Sequence, residues 1–377
     1  MAQLTDDCFA SNTLLSVDAA EALIGTRIPP LVGEEQVALA DALGRVLAHD
    51  LHVPLPDPEG ARFVTNAPVL PHAGGRRVQE DASHAFGTVN TPASRLDSNA
   101  RLARGSTPER VVVLPAGRRL RVTDIGVAAA LGCASLPVVP RVRVGVFSTG
   151  DELSAAGGAR GPAQIYDSNR FTLLALLARL PTETFDLGIM PDHAGESSAA
   201  LQAAAANHDL LLTSGGVSVG EEDHVRAAIE QSGRLVFWRL AVKPGRPVAM
   251  GVMRCAATGF PGKPVLGLPG NPVAAVVTFL HLARPLVLRL AGAAPEPLPR
   301  FPVEARFNHR KKVGRREYVL VRLRPSLTTP LAEKFERVGS GMQTSLTESD
   351  AFAELDEVTT AVVPGDAVQV LPFAALF

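Results

Sequence analysis

Three cysteines in 377 residues, at Cys8, Cys133 and Cys255, are too few and too far apart for a disulfide framework or a structural zinc site, and no CxxC pair occurs. That scarcity fits a reducing, cytoplasmic setting. Net charge is nearly absent too: 37 Lys and Arg stand against 38 Asp and Glu, a formal charge of −1, so no global field draws nucleic acid. Residues 273–290 form the most apolar stretch, but His281, Arg284, Pro285 and Arg289 interrupt it, which argues against a membrane span. The acidic start MAQLTDDCFA lacks the positive charge and apolar run of a signal peptide. Neither GxxxxGK[ST] nor a GxGxxG after a strand is present, which excludes a P-loop enzyme and an ordinary dehydrogenase.

The chain does hold enough apolar residues, 46% against 20% charged, to bury a sizeable core, and its length suits two to four domains. Ser16 is placed to cap a helix through Ile24, and residues 38–47 (ALADALGRVL) carry apolar side chains at helical spacing. Residues 53–110 are rich in Pro, Gly, Arg, Asn and Ser and read as a small β-rich or loop-rich region. From residue 141 onward, strands alternate with helices. VRVGVF, FDLGIM, DLLLTS, FWRLAV and PVLGL read as strands, and the segments from Phe171, Glu196, Glu221 and Val273 as helices. That alternation implies a mostly parallel sheet with right-handed crossovers. After Pro299, FPVEARF, REYVLVRLR and AVQVLPF alternate in period two, as in a small all-β domain. The expected class is a multidomain α/β protein: a mostly parallel sheet flanked by helices, a helical/β N-terminal region and a small all-β C-terminal domain.

In such a sheet, ligands bind beyond the carboxyl ends of the strands, where helix N-termini present free N–H groups. Three strand ends carry suitable loops: Ser148-Thr149-Gly150-Asp151-Glu152, the run Thr213-Ser214-Gly215-Gly216-Val217-Ser218-Val219-Gly220, and Leu268-Pro269-Gly270-Asn271-Pro272. Glycine permits close backbone approach to an anion, and Ser and Thr add donors. Turning the chain is the simpler use of each loop alone, but three at successive strand ends outweigh it. Carboxylates belong to the same rim: Asp151, Glu152, Asp192, Glu221, Glu222 and Asp223. Carboxylates beside phosphates repel unless a hard cation bridges them, so the pattern implies a Mg²⁺-assisted phosphate site. Lys243-Pro244-Gly245-Arg246-Pro247 presents two cations on a stiff turn suited to an oxyanion. A rival signature, Gly216-Val217-Ser218-Val219-Gly220, matches the GxSxG nucleophile elbow, with His281 or His309 as a later histidine. Three acids one turn past Ser218 would oppose the oxyanion of such a site. His193 and His224 are the histidines nearest the rim, and no histidine pair has metal-ligand spacing.

Together these motifs resemble the molybdopterin molybdenumtransferases, the MoeA and gephyrin E-domain family. The matching stretches are LPAGRRL, VGVFSTGDEL, AQIYDSNR, LLLTSGGVSVGEEDHV, FWRLAVKPGRPVAMG, GLPGNPVAAVVTF and VQVLPFAALF, joined by the earlier SVDAAEAL and VALADALGRVLAHDL. The resemblance implies a MogA-like α/β domain over residues 138–293, an N-terminal helical domain from 1–55 and 105–137, a reduced second domain at 56–104 and a β domain at 294–377. It implies Mg²⁺-dependent insertion of molybdate into adenylylated molybdopterin with release of AMP, by a homodimer, alongside a MogA-like adenylyltransferase. Glu152, Asp192 and Asp223 would serve the metal and the phosphoanhydride, and Pro269 and Pro272 would shape their loop. Lys243 and Arg246 would hold molybdate, and Ser345 would reach the same pocket. The remaining substrate contacts would be Thr65, Ser148, Thr149, Gly150, Asp167, Ser214, Gly215, Gly216, Ser218, Gly220, Gly270 and Asn271. The sequence departs from the family at three points: a block is missing around residues 53–66, Leu320 stands where an arginine is usual, and Ala274 where a serine is usual. These departures sustain an alternative: a MoeA-like paralogue that binds the pterin nucleotide as carrier or scaffold, weak or inactive in insertion.

Overall fold

The computed structural model describes residues 14–52, 111–190, 194–217, 224–253, 262–335 and 342–377. The chain divides into two compact units, residues 34–138 and the remainder. Ser16 caps the first helix, Val17–Arg27, by accepting the Ala19 N–H at 3.2 Å, as its side-chain oxygen should. Asp18 in the first turn of this helix takes both terminal nitrogens of Arg316 at 3.0 Å, and Arg316 also pairs with Glu354 at 3.2 Å.

In the 34–138 unit, β1 (Glu35–Ala38) pairs antiparallel with β4 (Ser135–Val138), and β2 (Leu51–His52) with β3 (Val112–Leu114). The helix Val122–Ala130 packs with them over a core of Ala42, Leu47, Leu114, Leu120, Ala128 and Leu136. Residues 38–47 do not form the helix that their spacing suggests. Only a short 3₁₀ turn, Leu39–Asp41, appears, and Gly44 then turns with φ +76°. Beyond it the backbone pairs with residues 117–120: Gly44 and Leu47 N–H groups donate to the Leu120 and Arg118 carbonyls at 2.9 and 3.0 Å. Long-range pairing outweighs a local propensity worth only tenths of a kcal/mol per residue.

In the larger unit, β5 (Val142–Thr149), β8 (Thr182–Met190), β9 (Leu210–Ser214), β10 (Gly233–Trp238), β12 (Ala249–Met253) and β13 (Lys263–Leu268) form one six-stranded sheet in the order β10-β12-β13-β9-β5-β8. The four strands from β13 to β8 are parallel, while β12 and β10 run antiparallel at one edge. Short β6 (Leu153–Ser154) and β7 (Ile165–Tyr166) pair beside the β5 loop. The helices Asn169–Leu177, Ala194–Asn207 and His224–Ser232 connect the strands. FWRLAV is not one strand. Arg239 has φ +103°, which ends β10, and β11 (Val242–Lys243) leaves to pair with a strand of the C-terminal sheet.

The helical run from Pro272 to Leu290 is long and apolar enough to cross a membrane, yet 83% of its most apolar window is buried inside the fold. A π turn at Phe279–Ala283 absorbs the irregularity before Pro285 and brings the buried His281 Nδ1 to 2.9 Å from Glu21. The sheet core gathers Phe147, Leu211, Ile229, Leu235, Met253 and Val265. Phe147 is fully buried, so Phe147→Ala is expected to lower the unfolding free energy by about 3–5 kcal/mol, as read by urea denaturation.

The C-terminal strands are β14 (Phe301–Ala305), β15 (His309–Arg310), β16 (Arg316–Arg324), β17 (Leu331–Lys334), β18 (Ala351–Leu355), β19 (Ala361–Val362) and β20 (Ala367–Pro372). The order β16-β17-β14-β20-β18 closes through a β16–β18 pairing, so five strands form a small barrel without a free edge. Its inward residues include Val303, Val319, Val321, Ala353 and Val370, the period-two pattern of the sequence. The observed class is therefore the expected one, an α/β sheet domain with an all-β barrel-like domain.

Candidate functional site

Strands β13, β9 and β5 lie side by side in parallel, so their three carboxyl-end loops meet at one edge of the sheet. The Gly215 N–H donates to the Leu268 carbonyl at 3.1 Å, which ties the β9 loop to the β13 loop. Asn169 Nδ2 donates to Ser214 Oγ at 2.9 Å and to the Gly270 carbonyl at 2.8 Å, bridging the same two loops. A Cβ on Gly215 would fall 2.4 Å from the Thr149 carbonyl oxygen, and Gly215 has φ +93°. Only glycine allows so close an approach in that conformation. Asn271 caps the helix Pro272–Thr278, its Oδ1 accepting the Ala274 N–H at 3.0 Å, with Pro272 at the first helical position.

Above this edge lies a cleft of about 580 Å³, lined among others by Glu152, Gly215, Gly216, Pro269, Gly270 and Asn271. The turn Lys243-Pro244-Gly245-Arg246-Pro247, where the Lys243–Pro244 bond is cis, also lines it, together with Arg315 and Ala274. Lys243 and Arg246 are exposed toward solvent, and Glu152 is exposed with its carboxylate folded against Gly150.

Several of the expected contacts are buried. Ser148 and Asp167 are buried and bonded to each other at 3.0 Å, and Asp167 also accepts from Arg170 Nε at 2.7 Å. They stiffen the rim from below. Arg170 further pairs with Asp186. Thr149 Oγ1 is buried with no hydrogen-bond partner and lies where a Cβ on Gly216 would come within 2.6 Å of it. Ser345 is buried on the helix Met342–Thr347, which packs against Pro272–Thr278, and it does not line this cleft. Gln343 on that helix donates to Ser168 at 2.8 Å. Leu320 sits half-buried on β16 away from the cleft lining, while Ala274 reaches the cleft without a hydroxyl. Thr65, Asp192, Ser218, Gly220 and Asp223 lie outside the described residues, and among the described residues no three metal-ligating side chains cluster.

Two members of the site were not anticipated. Arg315 lines the cleft, and Glu317, only 1% exposed, lies behind it. Glu317 Oε1 accepts Arg315 at 2.8 Å, and Oε2 accepts Lys243 at 3.3 Å and His309 Nε2 at 3.0 Å. The signal was a block of charge, Arg315-Arg316-Glu317, heading an otherwise apolar strand. Burial pushes the Glu317 carboxyl up, but the His309 hydrogen bond, Lys243 and Arg315 outweigh it and hold the group below its ordinary 4.5. A depressed carboxylate stabilises the fold fully above its unfolded value and loses that contribution as pH falls through the native one. Unfolding free energy should therefore fall with acidification below pH 4.5, and Glu317→Gln should flatten that slope in pH-dependent urea titrations.

Glycine-rich loops and cations lining one cleft mark an α/β protein whose sheet edge is suited to an anionic small molecule. A model described as a probable molybdopterin binding domain matches residues 145–289, and one for the MoeA C-terminal region (domain IV) matches 302–373. The molybdopterin molybdenumtransferase of Haemophilus influenzae is 35% identical over 301 residues, covering 78% of this chain and 71% of that protein. That of Nostoc sp. is 32% identical over 324 residues, covering 83% and 72%. In fold, the chain is similar to the solved molybdopterin biosynthesis MoeA protein of Pyrococcus horikosii, with TM-score 0.71 and 22% identity over 96% of this chain and 99% of that one. The chain belongs to the molybdopterin molybdenumtransferase family, enzymes of molybdenum cofactor biosynthesis.

Proposed function

We propose that this chain inserts molybdate into adenylylated molybdopterin and releases AMP, in a Mg²⁺-dependent reaction performed by a homodimer in the cytoplasm. The observation that carries this reading is the shared cleft, lined both by the glycine loops of the strand edge and by the Lys243–Arg246 turn. The glycine-rich loops at Gly215, Gly216, Gly270 and Asn271 suit the phosphates, with Thr149, Gly150 and Ser214 beside them. Lys243 and Arg246 suit molybdate, a tetrahedral dianion that accepts hydrogen bonds on every face. Pro269 and Pro272 restrict the loop so that its N–H groups need little reordering.

The donor chemistry fits a hard cation. Glu152 supplies carboxylate oxygens at the cleft wall, and among the described residues no cysteine or histidine lines the cleft to favour a softer metal. Glu152, with Asp192 and Asp223, would hold Mg²⁺, which when bound offsets charge on the phosphoanhydride. The chain's own residues hold the two anions against each other and orient the anhydride for attack by water. Proximity of this kind is worth several kcal/mol of barrier in well-oriented systems. Thr65, Ser218, Gly220, Asp167, Ser148 and Ser345 complete the proposed set, the last three as supports. A MogA-like adenylyltransferase is the class of enzyme that would supply the adenylylated pterin.

The test is AMP release by purified protein from adenylylated molybdopterin. The proposal expects release that needs both Mg²⁺ and molybdate. The methyl group of Ala274 at the cleft wall favours the second reading, a carrier or scaffold. Tight binding of the pterin nucleotide without AMP release under any condition would select that reading.

A further inference from the structure

The cleft holds one more cation than the motifs supply. Arg315 lines it together with Lys243 and Arg246, although it lies about seventy residues further along the chain, just before β16, the barrel strand that β11 joins. Its position is built rather than incidental. Arg315 Nε and Nη2 both reach Glu317 Oε1, at 2.9 and 2.8 Å, and the receiving carboxylate is buried. The other oxygen of that carboxylate takes Lys243 at 3.3 Å and His309 at 3.0 Å. His309 Nδ1 in turn faces Lys334 Nζ at 3.4 Å. β11 pairs in parallel with β16, placing Lys243 opposite Glu317 in register, so strand pairing fixes the two cations at neighbouring points of the cleft.

Two consequences follow from the charge and the geometry. Among the described residues, Lys243, Arg246 and Arg315 outnumber the carboxylates Glu152 and Glu317, which leaves the cleft with an excess positive charge. A guanidinium already held by two of its N–H groups also loses less freedom when it binds an anion than a free side chain would. The Arg315 side chain is 34% exposed, so it is partly desolvated but still accessible from the cleft.

We infer that Arg315 is a third contact for the oxyanion in this cleft, with Glu317 as the residue that positions it. The inference rests on the reading of the cleft as the molybdate site, and the test separates the two. Sodium molybdate is titrated calorimetrically into the full-length protein and into Arg315→Ala, Arg315→Lys and Lys243→Ala, with thermal melts to verify folding. The inference expects Arg315→Ala to raise the molybdate Kd tenfold or more and Arg315→Lys at least threefold, because lysine keeps the charge but loses the fork. In AMP release, the KM for molybdate should rise by similar factors, while kcat and the KM for the pterin nucleotide stay within about threefold. A merely structural arginine would instead lower the melting transition and disturb both substrates. If Arg315→Ala binds molybdate like the unaltered protein while Lys243→Ala loses binding, the inference fails and the site assignment stands. If the unaltered protein itself binds no molybdate, both fail. Should Arg315→Ala not fold, Arg315→Lys decides: weakened binding at an unchanged melting transition supports the inference, and unaltered binding overturns it.

Discussion

Glu152→Gln is expected to lower the rate of AMP release by about 100-fold or more, the scale seen when one charged or donor group is removed from a site that stabilises developing charge. The substitution keeps the shape of the side chain and removes only its negative charge. Glu152 is the described carboxylate that lines the cleft, folded against Gly150 at the end of β5. Its exposure means that no buried partner is stranded by the change, so the fold should survive and a melting curve should overlay that of the unaltered protein. The informative readout is the metal dependence. Raising Mg²⁺ should recover part of the lost rate, because one of the proposed ligands has been weakened while the others remain. A variant with the original rate and the original Mg²⁺ dependence would remove Glu152 from the chemistry.

The second large effect is structural. Gly215→Ala should destabilise the larger unit by about 3 kcal/mol or more, since a strained left-handed residue costs on the order of 1–3 kcal/mol and overpacking adds about 1–3. The added Cβ would lie 2.4 Å from the Thr149 carbonyl oxygen, a backbone atom held within β5 and unable to swing aside. Gly314 is the control, because its φ of +83° is also left-handed while no atom lies within 4 Å of a Cβ there. Gly314→Ala should therefore show the conformational cost alone, about 1 kcal/mol. The difference between the two, measured by urea denaturation, isolates the close approach that joins the β5 and β9 loops. Equal effects would mean that the approach does not constrain the site. The same variant should weaken nucleotide binding, because the Gly215 N–H to Leu268 bond sets the spacing of two loops.

Much of the larger unit was legible because apolar runs ending in glycine loops leave few other readings. VRVGVF, DLLLTS and PVLGL became the adjacent central strands β5, β9 and β13, and the three loops expected to receive an anion do share one edge. Adjacency itself could not be read, since strand order depends on pairings between residues far apart in sequence. The misread segments fail for the same reason. Residues 38–47 carry helical spacing, but their hydrogen bonds go to residues 117–120, some seventy positions away. FWRLAV has a strand's composition throughout, yet Arg239 turns the backbone so that Lys243 joins the barrel strand headed by Arg316. That turn is what brings the KPGRP cations to the cleft. Glu317 was invisible as a site residue because its role depends on Lys243, 74 positions earlier. The packing of the Ser345 helix against Pro272–Thr278 was likewise not legible, because it joins segments about seventy positions apart.

The most direct test of the central claim is a single-turnover count of molybdenum delivered to the pterin against AMP released. The protein is mixed in excess with adenylylated molybdopterin, Mg²⁺ and molybdate, and both products are quantified from the same sample. A cleft that holds the oxyanion and the phosphoanhydride together predicts one molybdenum atom in the pterin for each AMP. It also predicts that Lys243→Ala loses both in parallel. AMP appearing at the full rate with no molybdenum in the pterin would contradict the account.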